Sequence, residues 1–341
     1  MPPERKSCIA VLGAGAWGTA LACLAARAVA EAEGKIILWA RDPAHVAEMR
    51  ATGFNARHLP GVPIPSNVSP VTDPAEIEGA AFALAVVPAQ ALRQVLQNFA
   101  PHLAAGAPVI ICAKGIERET GLFLSEVAAS VLPPNPAAVL SGPSFAKEVA
   151  AGLPTAVTLA AQDGALAAEL AAAMASPSFR LYSSSDVRGV EIGGAAKNVL
   201  AIASGIAAGR GLGASAAAAL IARGFAELGR FGRAYGADTA TLVGLSGLGD
   251  LVLTCTSALS RNYSLGVELG RGSGAAEAMA RGGLCEGVHT CGALLDLAHA
   301  KSIEMPIAAA VDAVLAERIT VGEAIDDLLA RPLKAEAVEV S

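Results

Sequence analysis

Cys8-Ile9-Ala10-Val11-Leu12 runs straight into Gly13-Ala14-Gly15-Ala16-Trp17-Gly18, and this stretch decides the fold of the 341-residue chain. The apolar run reads as a strand, and residues 16–31 read as a helix. A G-x-G-x-x-G pattern between a strand and a helix signals a dinucleotide site; elsewhere the same glycines would be an ordinary turn. Gly13 permits the tight turn, Gly15 lets backbone approach a pyrophosphate, and Gly18 lets the helix pack close to the strand. The helix N-terminus then offers unpaired N–H groups to the phosphates.

Working outward, the first half alternates short apolar runs with helical stretches. Residues 35–40 (KIILWA), 81–87 (AFALAVV) and 109–113 (VIICA) read as strands. Residues 137–140 run into the turn Ser141-Gly142-Pro143-Ser144. Short apolar strands spaced by helices imply a parallel, doubly wound sheet. From about residue 186 the pattern is helical. Residues 191–208 and 214–235 are long alanine-rich helices joined by a glycine-rich link, with more helices at 260–270, 288–299, 307–317 and 321–329. Met305-Pro306 fits a helix start, because Pro suits the first turn. The domain boundary is expected near residue 187, dividing 1–187 from 188–341. The tail after Arg331-Pro332 is expected to be loosely held.

The composition, 53% hydrophobic and 16% charged, excludes a disordered chain. A net charge of -6 without a basic run excludes a nucleic-acid binder. The mean hydropathy of +0.50 tempts a membrane reading. Prolines break the uncharged stretches 94–113 and 127–146, and Arg210 interrupts 198–222, so no integral membrane segment is expected. The polar residues 1–7 lead into a strand, so no signal peptide is expected. Six scattered cysteines without Cys-x-x-Cys read as reduced thiols in a cytoplasmic protein. No cluster has metal-ligand spacing, so no metal is expected.

An acidic residue about 20 positions beyond Gly18 would bind a ribose 2′-hydroxyl, whereas an arginine would hold a 2′-phosphate. Here Ala40-Arg41-Asp42 offers both. NADPH is expected to be accepted, alongside NADH. Three further segments look chemical. Lys114-Gly115 follows a strand, where ligands bind in open α/β sheets. Lys197 sits among Ala195, Ala196, Val199 and Leu200; burial there would lower its pKa and make it a usable acid/base. A surface lysine on a helix would look the same locally. Gly247-Leu248-Gly249-Asp250 precedes Ser260-Arg261-Asn262, in which Ser260 can cap a helix that presents Arg261 to an anion.

Together, Gly13–Ala22 (GAGAWGTALA), Ser141–Glu148 (SGPSFAKE), Glu191–Val199 (EIGGAAKNV) and Ser260-Arg261-Asn262 resemble the bacterial NAD(P)-dependent glycerol-3-phosphate dehydrogenases. The motifs stand in the family's order over about residues 8–330. The resemblance implies an N-terminal Rossmann-like sheet domain, an all-helical C-terminal domain and a site between them. It implies reversible reduction of dihydroxyacetone phosphate to sn-glycerol 3-phosphate, supplied to phospholipid synthesis, and a homodimer. By resemblance, Lys197 matches the proton acceptor. Lys114, Gly142, Ser144, Asp250, Ser260, Arg261 and Asn262 match substrate contacts. Ala16, Trp17, Arg41, Lys114, Ala146, Arg261, Leu284 and Glu286 match dinucleotide contacts, beside Gly13, Gly15 and Gly18.

The sequence departs from the family in places. Val87-Pro88-Ala89-Gln90 stands where V-P-S is frequent, and His58 in Asn55–Pro60 takes a tyrosine's place. On this reading Asp250 orients Lys197 and raises its pKa, while burial and Lys114 lower it; the sequence leaves the winner open. The competing readings are a ketopantoate reductase-like enzyme, which would have no use for an anion site at Arg261, and a non-catalytic dinucleotide sensor, which would not need Lys197, Asp250 and Arg261 together.

Overall fold

The computed structural model describes residues 8–29 and 33–332. The opening apolar run forms β1 (Ile9–Leu12), and the glycine turn leads into α1 (Ala16–Ala28). The sheet half continues with β2 (Ile36–Trp39), α2 (Pro43–Thr52), β3 (Val68–Val71), β4 (Phe82–Ala85), α3 (Leu92–Phe99) and β5 (Val109–Ile111). Then come α4 (Leu124–Val131), β6 (Ala137–Ser141), α5 (Ala146–Ala150), β7 (Thr155–Ala161), α6 (Gly164–Met174) and β8 (Phe179–Ser184). The strand order is β3-β2-β1-β4-β5-β6-β7-β8. β1 lies parallel to both β2 and β4, so the winding reverses there and the glycine turn opens onto the crevice at the strand ends. Ile9, Val11 and Leu38 pack on one side of the sheet; Ala10, Leu12 and Ile37 pack on the other, with Leu96, Phe99 and Leu124. Burial on both faces is why these strands read as unbroken apolar runs.

The sheet is mixed, not wholly parallel as expected: β7 runs antiparallel to β6. Only the five-residue α5 lies between them, and that is not a full crossover helix of the kind a parallel return uses. Three strands escape the sequence reading. β3 contains Pro70, which an edge strand tolerates. β8 is the other edge and buries only Phe179 fully, and β7 starts with two half-buried positions. The expected end of the first helix at residue 31, the polar residues 1–7 and the tail beyond Pro332 lie outside the described residues.

The remaining elements are helices: α7 (Val187–Gly209), α8 (Gly213–Ala234), α9 (Thr239–Leu242), a π-helical turn (Leu245–Gly249), α10 (Asp250–Thr256) and α11 (Arg261–Gly270). They end with α12 (Ala275–Gly282), α13 (Glu286–Ala300), α14 (Pro306–Leu315) and α15 (Val321–Leu329). α7 starts four residues before the expected position, because Asp186 caps it by accepting the Gly189 N–H at 2.8 Å. From Gly189 to Ala207 every residue of α7 is buried. By length and composition alone α7 and the stretch Thr239–Thr256 would pass for membrane spans. The apolar window of α7 is instead 89% buried inside the fold, and Thr239–Thr256 is α9, the π turn and α10 in succession. α14 starts at Pro306 as expected, and Glu227 of α8 accepts the next two free N–H groups, of Ile307 (2.7 Å) and Ala308 (3.3 Å).

Candidate active site

The dinucleotide turn has the shape its glycines require. Gly13 has φ +121°, a conformation that side chains rarely adopt. A Cβ on Gly18 would collide with the Gly13 carbonyl oxygen, so α1 approaches β1 only because Gly18 lacks one. Space is open around Gly15, the N-cap of α1, and no side chain caps that helix. The first-turn N–H groups, including those of Ala16 and Trp17, are therefore available to a phosphate, and the residues fit a dinucleotide. Trp17 and Ala146 meet Leu59 in a small apolar cluster beside the turn. Asn55 holds the turn from outside: its amide donates to the Ala14 carbonyl (2.9 Å) and to Thr19 Oγ1 (2.7 Å). His45 Nε2 lies 2.9 Å from Asn55 Oδ1, and the His45 and His58 rings meet edge-on.

The chemical centre is a buried carboxylate between two lysines. Asp250 stands at the start of α10 and is only 1% exposed. Lys197 Nζ from α7 donates to Asp250 Oδ1 at 2.5 Å, and Lys114 Nζ, three residues past β5, donates to Oδ2 at 2.6 Å. Lys114 also reaches the Gly142 carbonyl at 3.2 Å, to which Ser144 Oγ donates at 3.0 Å. Lys197 makes a second bond, to Thr254 Oγ1 at 2.8 Å. Thr254 in turn donates its proton to the Asp250 backbone carbonyl at 2.6 Å, so its oxygen faces Lys197 as an acceptor. Burial opposes the charge on Asp250, but the ammonium groups of Lys114 and Lys197 overcome it and hold the carboxyl below its ordinary range. For Lys197 burial wins. It lowers the pKa to about 8, opposed by Asp250 and assisted by Lys114.

The second group of candidate residues is built on α11. Ser260 Oγ accepts the Tyr263 N–H at 3.3 Å and so caps the helix, as expected. Arg261 is the first helical residue and is exposed. Asn262 is buried and ties three elements together: its amide donates to Asn198 Oδ1 (3.0 Å) and its Oδ1 accepts the Gly287 N–H (3.1 Å). Since Asn198 follows Lys197 and Asn262 follows Arg261, that bond fixes the start of α11 against the helix that carries the lysine. Glu286 heads α13 and accepts the Ala89 N–H at 3.4 Å, while its Oε2 is buried without a partner among the described residues. Burial pushes its carboxyl up, against the Ala89 bond and Arg261. Leu284 is 40% exposed just before that helix. Ala89, which replaces the family's serine, is buried and contributes only its backbone N–H.

Lys114, Lys197 and Asp250 thus meet, with Gly142 and Ser144 one bond away. Ser260, Arg261, Asn262 and Glu286 are joined through Asn198 and Gly287. Arg41 lies apart, exposed beyond the end of β2. The sequence reading missed Thr254, Asn198 and Asn55 as members of the site. Thr254 stands four residues after Asp250, on the same helix face, which is a usable signal. Asn55 has no local signal, because its partners lie 41 and 36 residues away. Among the described residues no His, Cys, Asp or Glu group could hold a metal ion.

Comparison with known proteins places the whole chain in one family. Residues 8–167 match the family model described as the N-terminus of NAD-dependent glycerol-3-phosphate dehydrogenase, and residues 186–326 match the model of its C-terminus. The chain is 67% identical over 328 residues to a glycerol-3-phosphate dehydrogenase (NAD(P)+) of Beijerinckia indica, covering 96% of this chain and 97% of that one. It is 58% identical over 330 residues to the enzyme of the same name from Azorhizobium caulinodans, covering 96% and 98%. The crystal structure of glycerol-3-phosphate dehydrogenase from Coxiella burnetii superposes with a TM-score of 0.90 at 42% identity, covering 96% of this chain and all of that one. The chain belongs to the NAD-dependent glycerol-3-phosphate dehydrogenase family.

Proposed function

We propose that the chain reversibly reduces dihydroxyacetone phosphate to sn-glycerol 3-phosphate with NADPH or NADH, and so supplies glycerol 3-phosphate for phospholipid synthesis. The observation that carries this reading is Asp250 held between Lys114 and Lys197. A nicotinamide dinucleotide, when bound, exchanges hydride with C2 of the substrate. The protein handles the proton. Lys197 has three N–H groups as an ammonium; Asp250 and Thr254 take two, which leaves one for the substrate C2 oxygen. As a neutral amine Lys197 keeps both anchors and turns its lone pair to the C2 hydroxyl as the base for oxidation. Lys114, Gly142 and Ser144 line the same side and hold the substrate. Ser260, Arg261 and Asn262 clamp its phosphate at the N-terminus of α11, where Arg adds bidentate geometry.

Gly13, Gly15, Ala16, Trp17 and Gly18 hold the pyrophosphate, and Arg41, Ala146, Leu284 and Glu286 complete the dinucleotide contacts. The chain divides near residue 187 into a dinucleotide domain and a substrate domain. It works as a cytoplasmic homodimer, a reading supported by the free thiols of Cys8, Cys23, Cys112, Cys255 and Cys291 and by exposed Leu212, Val243, Val252 and Leu259 on the helical half. The test is loss of 340 nm absorbance on mixing protein, NADPH or NADH, and dihydroxyacetone phosphate. Oxidation that needs the phosphate supports the reading. Lys197→Ala should lose at least about 10²-fold in kcat with dinucleotide binding intact, and Arg261→Ala should chiefly raise KM. Equal turnover of unphosphorylated dihydroxyacetone would sink it.

A further inference from the structure

The end of β2 offers an arginine and an aspartate in sequence, and the structure separates their roles. Each Asp42 oxygen already has a partner. Its Oδ1 accepts the Ala44 N–H at 2.9 Å as the N-cap of α2, and its Oδ2 accepts from Arg57 Nη1 at 2.8 Å. Arg57 is itself fixed twice, since its Nε donates to Glu48 Oε2 at 2.8 Å. The loop that delivers Arg57 is not loose either. Two residues earlier Asn55 is buried and bonded to the Ala14 carbonyl and Thr19, within the glycine turn. Arg41, by contrast, is exposed and has no hydrogen-bond or ion-pair partner among the described residues.

A carboxylate at the end of this strand favours an unphosphorylated ribose by accepting from its hydroxyls, and it repels a 2′-phosphate. Here that carboxylate is taken up by a helix cap and a guanidinium. We propose that Arg57 sets the dinucleotide preference by holding Asp42 away from the ribose, so that Arg41 reads the 2′ position and the site takes NADPH over NADH. This deepens the dehydrogenase reading and rests on a dinucleotide binding at the glycine turn. Arg57 acts through Asp42 and is a positioning residue.

The test is equilibrium binding of NADP+ and NAD+ by titration calorimetry, without turnover. The wild-type protein binds NADP+ more tightly. Arg57→Ala releases Asp42, and affinity for NADP+ falls about tenfold, the order expected for two like charges a few ångström apart near a protein surface, while NAD+ binding is not weakened. The double variant Arg57→Ala/Asp42→Asn removes the released charge and recovers NADP+ affinity; Asn caps α2 as well as Asp does, so the fold is kept. A double variant that binds NADP+ as weakly as Arg57→Ala would mean that Arg57 touches the phosphate itself, and it overturns the proposal. Tighter binding of NAD+ by the wild type overturns it too. Binding of neither dinucleotide would remove the nucleotide site beneath it, whatever the turnover assay shows.

Discussion

At the scale of the residue, the question is the charge on Lys197. Its place in an apolar helix segment was legible in the sequence; the sign of its pKa shift was not. Three opposed effects act on it, and two of them come from Lys114 and Asp250, 83 and 53 positions away. The fold settles the balance: burial brings the pKa to about 8. Oxidation needs the neutral amine, so its rate rises with pH through about 8 and then levels off. Reduction needs the ammonium and falls over the same range. Asp250 is the group that raises the lysine's pKa, so Asp250→Asn should move both inflections to lower pH as well as slowing turnover. Rate profiles in each direction between pH 6 and pH 10 check this. An inflection that stays put or moves up would show that Asp250 does not act on the lysine through its charge.

At the scale of the element, α7 carries Lys197 and α11 begins with Arg261, and glycines set the spacing of the two helices. A Cβ on Gly266 would strike the Ile202 carbonyl oxygen and come within 2.9 Å of Gly205 Cα; Gly209 and Gly270 meet in the same way one turn on. That this part of α7 packs within its own half, against α11, needed the structure. Likewise the two-sided strands were legible, whereas β3 and β8 were not, because edge strands carry proline and polar residues that break the pattern. Gly266→Ala gains about 1 kcal/mol in helix propensity but overpacks a backbone contact, which costs typically 1–3 kcal/mol, so the variant should be less stable. Parting the helices also displaces Arg261 and Asn262, so KM for dihydroxyacetone phosphate should rise. Gly229 of α8 is the counter-case. Its Cβ would meet only Arg233 Nη1, at 3.7 Å, so Gly229→Ala should raise the urea midpoint. Equal effects of the two alanines would refute the packing account.

At the scale of the molecule, the site exists because α7 is locked onto the sheet half. Glu191 accepts both the Ser125 N–H and the Ser125 hydroxyl at 2.7 Å, at the start of α4. Arg188 reaches Glu126 and lies over the Phe123 ring. Glu286 meets Ala89, and Lys114 meets Asp250. Glu191 stands in the sequence motif around Lys197, yet its partner is 66 residues away and no local pattern pairs them. Burial drives the Glu191 carboxyl up to about 7, against the two Ser125 bonds and Arg188. A carboxyl whose pKa is raised on folding stabilises the folded state fully below its unfolded value of 4.5, and that stability is lost as pH rises through about 7. Between pH 5.5 and 7.5 Glu191 therefore accounts for a fall of about 2 kcal/mol. Glu191→Gln can keep both contacts, its oxygen accepting the Ser125 N–H and its amide donating to the hydroxyl, and it has no proton to lose. Urea unfolding at the two pH values should show the wild type losing about 2 kcal/mol more than the glutamine variant. Parallel losses in the two proteins would mean that Glu191 binds no extra proton on folding, and that the lock between the halves does not depend on pH at this residue.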